Sequence, residues 1–295
     1  MGGIMLEIIN KNIHNVAGGL GGDTYLIVGR AGTAVIDAGM AYCGDKLVEN
    51  IVEILGDKPL DFIILSHSHY DHVGGTMALR SKWPEVTVLS SEHGKKVLDK
   101  ESSKILIKDL SISASKLFGQ EIEDLNMEGL YVDEAIKDGD IIDLGNIQIE
   151  VLETKGHTKC CLAFFLRNED VLFPGETPGV LLKLGEMSPV FLTSYKDTIN
   201  SINKLRKLQA KYIISPHYGL IDPSDSKNYW DWSQKACEEC KKFVVKYYKE
   251  DYSKEEILVK FAKRFRSEAS FELQPDEAFE INSARSIEVI IKEFF

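Results

Sequence analysis

No apolar run in this 295-residue chain approaches the roughly 20 residues needed to cross a bilayer, so no membrane span is expected. Positive charge is in deficit too. The chain has 35 Lys and Arg against 46 Asp and Glu, a formal net charge of -11, whereas a nucleic-acid partner calls for a basic surface. Met1-Gly2-Gly3-Ile4-Met5 has neither the basic region nor the long apolar core of a signal peptide. Cysteine is sparse and odd in number: Cys43, Cys160, Cys161, Cys237 and Cys240 have no disulfide-scaffold spacing and read as reduced thiols of a cytoplasmic protein. The Cys237-x-x-Cys240 pair lacks a second pair to complete a tetrahedral zinc site, and is read as incidental. Gly18-Gly19-Leu20-Gly21-Gly22 has no Lys-Ser/Thr after it and leads into a strand, which excludes the nucleotide fingerprints. What remains is an ordinary globular composition, 44% hydrophobic and 27% charged. The length suits one large α/β domain, or one domain with an appendage.

Histidine is scarce as well, yet five of the 7 follow apolar strands. The run Leu65-Ser66-His67-Ser68-His69-Tyr70-Asp71-His72-Val73-Gly74-Gly75 continues the β-branched stretch Phe62-Ile63-Ile64, a buried strand opening into a loop. Residues two apart in extended chain point the same way, so His67 and His69 can share a metal. The turn at Asp71-His72 can direct those two side chains to a neighbouring position. A helix-borne zinc site would instead space its histidines at i and i+4. His157 comes just beyond the strand at 147–152, Glu176 beyond 171–173 and His217 beyond 212–214. Four separate strand ends thus deposit side chains of metal-ligand type, and such ends gather on one rim of a sandwich. Asp37, at the end of the strand 34–36, is expected to buttress an imidazole, because coordinating histidines give their second N–H to a carboxylate or carbonyl. His14 and His93 lie outside this pattern.

The remaining signals alternate between strand and helix, which implies sheets covered by helices. An opening strand is expected over residues 4–16, a hairpin over 24–28 and 34–36, and a helix carrying Leu47, Ile51, Ile54 and Leu55. Residues 76–83 read as a helix stopped by Pro84, 86–89 as a strand and 92–118 as mainly helical. Strands follow at 141–144, 147–152, 162–166 and 171–173. Ile199, Ile202, Leu205 and Leu208 mark an amphipathic helix before the last expected strand, 212–214. After Pro223 the character changes to three charged, aromatic-rich helical stretches, 225–248, 254–265 and 276–295. Ser253 ahead of Lys254-Glu255-Glu256 fits a capping box. The expected domains are therefore 1–222 and an all-helical C-terminal extension, 223–295.

His67-x-His69-x-Asp71-His72, then Gly156-His157-Thr158, Gly175-Glu176 and His217, with Asp37 upstream, resemble the metallo-β-lactamase superfamily in order and spacing. The resemblance implies an α/β fold, the αββα sandwich, with a binuclear metal centre on one edge. It implies that His67, His69 and His157 hold one metal, that Asp71, His72 and His217 hold the other, and that Glu176 bridges them. The implied cofactors are two divalent metal ions, zinc first by family usage, with iron and manganese as alternatives. Two departures stand out. The family usually has Asp at the position of Glu176, and the extra methylene must fold back or move the metals if the carboxylate is to remain a ligand. Lys159-Cys160-Cys161 replaces the Pro-Gly-Ser of many relatives and puts Cys160 near the site without making it a ligand. The length, ligand positions and helical tail are also similar to thioesterases of the quinolone-signal response, which favours a capped site and an acyl substrate.

The expected function is a binuclear metal-dependent hydrolase, in which a metal-bound hydroxide attacks a small ester, thioester or lactone. Asp71 is expected to orient the water's proton; Tyr70 and Tyr218 are weaker candidates for donating to the oxyanion or leaving group. The alternatives are a phosphodiesterase, a di-iron redox protein and a non-catalytic metal-binding regulator. A small-molecule substrate is expected, with no nucleic-acid or membrane partner, and the helical tail offers a lid or a homodimer surface.

Overall fold

Short antiparallel strands open the chain: β1 (Ile8–Asn10), β2 (Ile13–Asn15), β3 (Tyr25–Val28) and β4 (Thr33–Ile36). The computed structural model describes residues 8–120, 122–268, 270 and 275–295. The single opening strand expected over 4–16 is two strands. The chain turns at Lys11-Asn12 and pairs Asn10 with Ile13, while residues 4–7 of that expectation lie outside the described residues.

From β4 onward the first sheet becomes parallel, through β5 (Phe62–Ile64), β6 (Thr87–Ser91) and β7 (Glu134–Ile136). Helices α1 (Gly44–Leu55), α2 (Tyr70–Val73) and α3 (Thr76–Lys82) lie in the connections, followed by α4 (Glu92–Leu98) and α5 (Glu101–Leu117). The apolar positions of α1 recur at helical spacing, and Leu47, Ile51 and Leu55 are all buried. They join Val35, Ile63, Leu65 and Val88 of the sheet in one core. Register places Ile36 beside Ile64 and Ile64 beside Leu89, so β4 and β5 end level while β6 runs on to Ser91. Parallel sheets present ligand-binding groups beyond such carboxyl ends, and Asp37 and Ser66–His67 begin there.

The chain goes on through β8 (Ile141–Asp143), β9 (Gln148–Glu153), β10 (Leu162–Leu166), β11 (Val171–Phe173), β12 (Val180–Lys183), β13 (Glu186–Ser188), α6 (Tyr195–Arg206), β14 (Tyr212–Ser215) and β15 (Gly219–Ile221). The first sheet runs in order from β1 to β7, the second in the order β15-β14-β11-β10-β9-β8, and β12 pairs with β13. This is the α/β class expected, an αββα sandwich, followed by helices α7 (Ser226–Lys249), α8 (Lys254–Phe265) and α9 (Asp276–Phe294). Four strands escaped the sequence pattern. β7, β12, β13 and β15 are only three or four residues long, too short for polar–apolar alternation to stand out.

The chain divides into two compact units, residues 1–152 with 164–169, and residues 153–163 with 170–295. In the second, β11 and β14 run parallel with Val171 beside Tyr212, so the loops carrying Glu176 and His217 leave the same edge. Helix α7 buries Tyr229, Trp230, Ser233, Cys237, Cys240 and Val244 along one stripe. The Cys-x-x-Cys pair is thus part of a packed helix face. Burial pushes the Cys237 thiol up to about 12 and holds Cys240 protonated too. The capping box of α8 is formed, with Ser253 Oγ accepting from the Glu256 N–H and Glu256 accepting from the Ser253 N–H. Among the described residues no helix is long and apolar enough to cross a membrane.

Replacing the fully buried Ile51 with alanine leaves a cavity under the first sheet. The expected loss is about 2–5 kcal/mol in urea unfolding, and a loss below about 1 kcal/mol would contradict this packing.

Candidate metal centre

In the first unit, one carboxylate sets the orientation of two imidazoles. Asp37 follows β4 with its backbone in the left-handed region (φ 58), uncommon for a non-glycine residue and costing on the order of 1 kcal/mol or more. This turn brings the carboxylate to the end of β5. The Ser66 N–H donates to Oδ1 at 2.7 Å, and the Ser66 hydroxyl donates to Oδ2 at 2.8 Å. His72 Nδ1 lies 2.8 Å from the same Oδ2. A carboxylate only accepts, so the His72 ring carries its proton on Nδ1.

The same inventory reaches His67. Ser66 has one hydroxyl proton, and it is directed to Asp37. Its Oγ, 3.0 Å from His67 Nδ1, therefore accepts from that ring. In the neutral rings of both His67 and His72, Nε2 is then the lone-pair nitrogen, the form a metal binds. His69 holds an extended backbone just before the single turn of α2, which carries Asp71 and His72. The His67 ring centroid lies 4.6 Å from that of His69 and 4.2 Å from that of His72. Asp71 Oδ2 is 3.8 Å from His72 Nε2.

The second unit repeats the arrangement with a backbone carbonyl in place of the carboxylate. His157 Nδ1 donates to the Val190 carbonyl at 2.6 Å, which turns its Nε2 toward Glu176 Oε2, 3.0 Å away. The other oxygen, Glu176 Oε1, lies 2.5 Å from His217 Nε2. A lone-pair nitrogen does not face a carboxylate at that distance without positive charge between them, a proton or a metal ion. Backbone turns make these approaches feasible. His217 is left-handed (φ 62), and Gly156 takes φ 137 where a Cβ would lie 2.1 Å from Thr198 Oγ1. The Thr177 hydroxyl donates to the Thr154 carbonyl at 2.5 Å and pins the residue after Glu176.

Among the described residues the candidate ligands are His67, His69, Asp71 and His72 in the first unit, and His157, Glu176 and His217 in the second. Donor atoms lie within 4.8 Å of each other in the pairs His67–His69 and Asp71–His72 of the first unit, and His157–Glu176 and Glu176–His217 of the second. Glu176 is common to both pairs of the second unit. Imidazole nitrogens with carboxylate oxygens are the donor set of zinc, iron and manganese, so the residues present fit two divalent ions. His67, His72, His157 and Glu176 are buried, where uncompensated polar groups are costly. His14, His93 and the five cysteines fall in neither group. Cys160 and Cys161 instead share the Thr158 hydroxyl, 3.0 Å from each sulfur. Tyr70 packs against the core of the first unit, and Tyr218 is 37% exposed.

Two contributors were invisible to motif reading. Ser66 relays a hydrogen bond between His67 and Asp37, and its only signal was its place between them in the chain. The Val190 carbonyl has no signal at all, since any residue type supplies one.

The description "Metallo-beta-lactamase superfamily" matches residues 17–217 of the chain. A hydroxyacylglutathione hydrolase of Prochlorococcus marinus is 27% identical over 153 residues, 52% of this chain and 48% of its own length. A metallo-beta-lactamase fold-containing protein of Sulfurisphaera tokodaii is 26% identical over 205 residues, 68% of this chain and 73% of its own. The stereoselective inverting sec-alkylsulfatase of a Pseudomonas species shares the fold at a TM-score of 0.70 and 15% identity, over 98% of this chain and 50% of that one. The chain spans about half the length of several curated relatives it matches.

Asp37→Ala removes the acceptor for the Ser66 N–H, the Ser66 hydroxyl and His72 Nδ1 at once. The expected destabilisation, read by thermal and urea unfolding of protein treated with chelator, is about 3 kcal/mol or more. A loss under about 1 kcal/mol would mean that the three donors find other partners.

Proposed function

Since the chain belongs to the metallo-beta-lactamase superfamily, we propose that it is a binuclear metal-dependent hydrolase of small esters, thioesters or lactones. The carrying observation is Glu176, whose two carboxylate oxygens address His157 and His217 separately. In this reading His67, His69 and His157 hold one ion, Asp71, His72 and His217 hold the other, and Glu176 joins them. When bound, the ions supply Lewis acidity, lowering the pKa of water and polarising a carbonyl oxygen. Asp37, Ser66 and the Val190 carbonyl hold Nδ1 of His72, His67 and His157, so Nε2 is the atom each ring would offer an ion. Asp71 has two carboxylate oxygens; one can ligate while the other takes a proton from the attacking water.

Relatives named hydroxyacylglutathione hydrolases support an acyl substrate. The helical extension of residues 223–295 supports the finer likeness to thioesterases of the quinolone-signal response. Zinc is the first choice of metal by family usage, with iron and manganese next. The net charge of -11 supports a small-molecule substrate over nucleic acid, and the reduced cysteines support a cytoplasmic setting.

Protein purified without a metal-affinity tag is expected to carry two divalent ions per chain. It should turn over members of a panel of acyl thioesters, lactones and bis-p-nitrophenyl phosphate, with the acyl compounds leading. His69→Ala should fold and lose that turnover. Activity that survives complete chelation, or preference for the phosphodiester, would overturn the reading.

Chelation should also lower the melting temperature. Free imidazoles titrate near about 6.5 and must be deprotonated to bind metal. The stabilisation is therefore present above that pH and lost as pH falls through it, so chelation should matter at pH 7.5 and little at pH 5. An equal effect at both would count against imidazole ligands.

A further inference from the structure

His157 is oriented by the carbonyl of Val190, and the carbonyls of the next two residues are held from the C-terminal helix. Ser286 Oγ donates to the Phe191 carbonyl at 3.4 Å, and Arg285 Nε donates to the Leu192 carbonyl at 3.1 Å. Just beyond, helix α6 begins, and the N–H groups of a first helical turn need partners outside the helix. Ser194 supplies one, accepting from the Asp197 N–H at 3.0 Å. Glu293 of α9 supplies the rest. Its Oε1 accepts from the Ser194 hydroxyl at 2.7 Å and the Tyr195 N–H at 3.1 Å, and its Oε2 accepts from the Lys196 N–H at 3.1 Å. A carboxylate at that place is also favoured by the helix dipole.

The opposite side of the same segment grips the loop that carries His157. The Leu192 N–H donates to the His157 carbonyl at 3.3 Å. The N–H groups of Thr193 and Ser194 donate to the Gly156 carbonyl at 3.0 and 3.2 Å, joined by the Thr193 hydroxyl at 2.9 Å. Gly156 sits so close to the first turn of α6 that no side chain fits between them. Residues 190–196 are thus bonded on one side to the candidate ligand loop and on the other to α9.

We propose that Glu293, with Arg285 and Ser286, is a positioning set for His157. Helix α9 clamps residues 190–196, and that segment keeps the imidazole with Nδ1 on the Val190 carbonyl and Nε2 toward Glu176. The consequence for metal binding rests on the reading of His157 as a ligand. The consequence for the ring itself does not.

Two readouts on the full-length protein separate these. Selective nitrogen-15 labelling of histidine reports the ring tautomer of His157 in the metal-free state, and chelator competition with zinc reports ion affinity. In the wild type His157 should prefer the state in which Nδ1 is protonated and bonded to the Val190 carbonyl. In Glu293→Ala that preference should weaken, and zinc affinity should fall about 3- to 10-fold, less than the 10- to 100-fold typical of losing a ligand's direct partner. Glu293→Gln retains one capping oxygen and should recover part of both. Ser253→Ala, which opens the capping box of α8 without touching residues 190–196, should lower stability and change neither readout. If Glu293→Ala is too unstable to study, Glu293→Gln and Arg285→Lys carry the comparison. A wild-type tautomer and unchanged zinc affinity in destabilised Glu293 variants would overturn the proposal. A wild type that binds no zinc would overturn the ligand reading alone, and the tautomer measurement would still decide the clamp.

Discussion

The carboxylate of Asp37 is the constraint on which the first half of the site depends. Three donors converge on it, and through them two imidazoles receive a defined proton position. Sheet register brings it there, because β4 and β5 end level and Asp37 follows the one while Ser66 follows the other. The left-handed backbone at Asp37 is unfavourable in isolation. It persists because the alternative leaves a buried serine and a buried histidine without an acceptor, a larger loss.

In the second half the same problem is solved by main chain. A carbonyl holds His157, and the backbone of residues 192–194 holds the loop it sits on. Glu176 has a longer arm than the aspartate usual at this position in the family. With that arm each carboxylate oxygen meets a different imidazole, at 3.0 and 2.5 Å. Donors of this kind, packed where water is scarce, have little reason to converge except to share positive charge. In the proposed hydrolysis the protein's part is to orient the rings of His67, His72 and His157 through their Nδ1 partners.

Much of the fold was legible because hydrophobic periodicity was strong where the core is deepest. Leu47 and Ile51 announced α1, and Phe62-Ile63-Ile64 announced a central strand. The candidate ligands were legible for a different reason: polar residues of ligand type stood at strand ends, where packing does not call for them. What escaped notice had no side-chain signature. The turn at Lys11-Asn12 carries neither glycine nor proline. The direction of the Ser66 hydroxyl follows only from counting protons once Asp37 is in place. The hold of Glu293 on the start of α6 joins residues 97 to 99 positions apart, a contact that local pattern cannot announce.

The central claim is that Glu176 and six other side chains gather two ions, and anomalous diffraction from zinc-soaked crystals tests it most directly. The account predicts two anomalous peaks per chain, one beside His67, His69 and His157 and the other beside Asp71, His72 and His217. A Glu176 oxygen should lie about 2.0–2.2 Å from each. A map with no peak among these residues, or with the Glu176 carboxylate turned away from both ions, would contradict it.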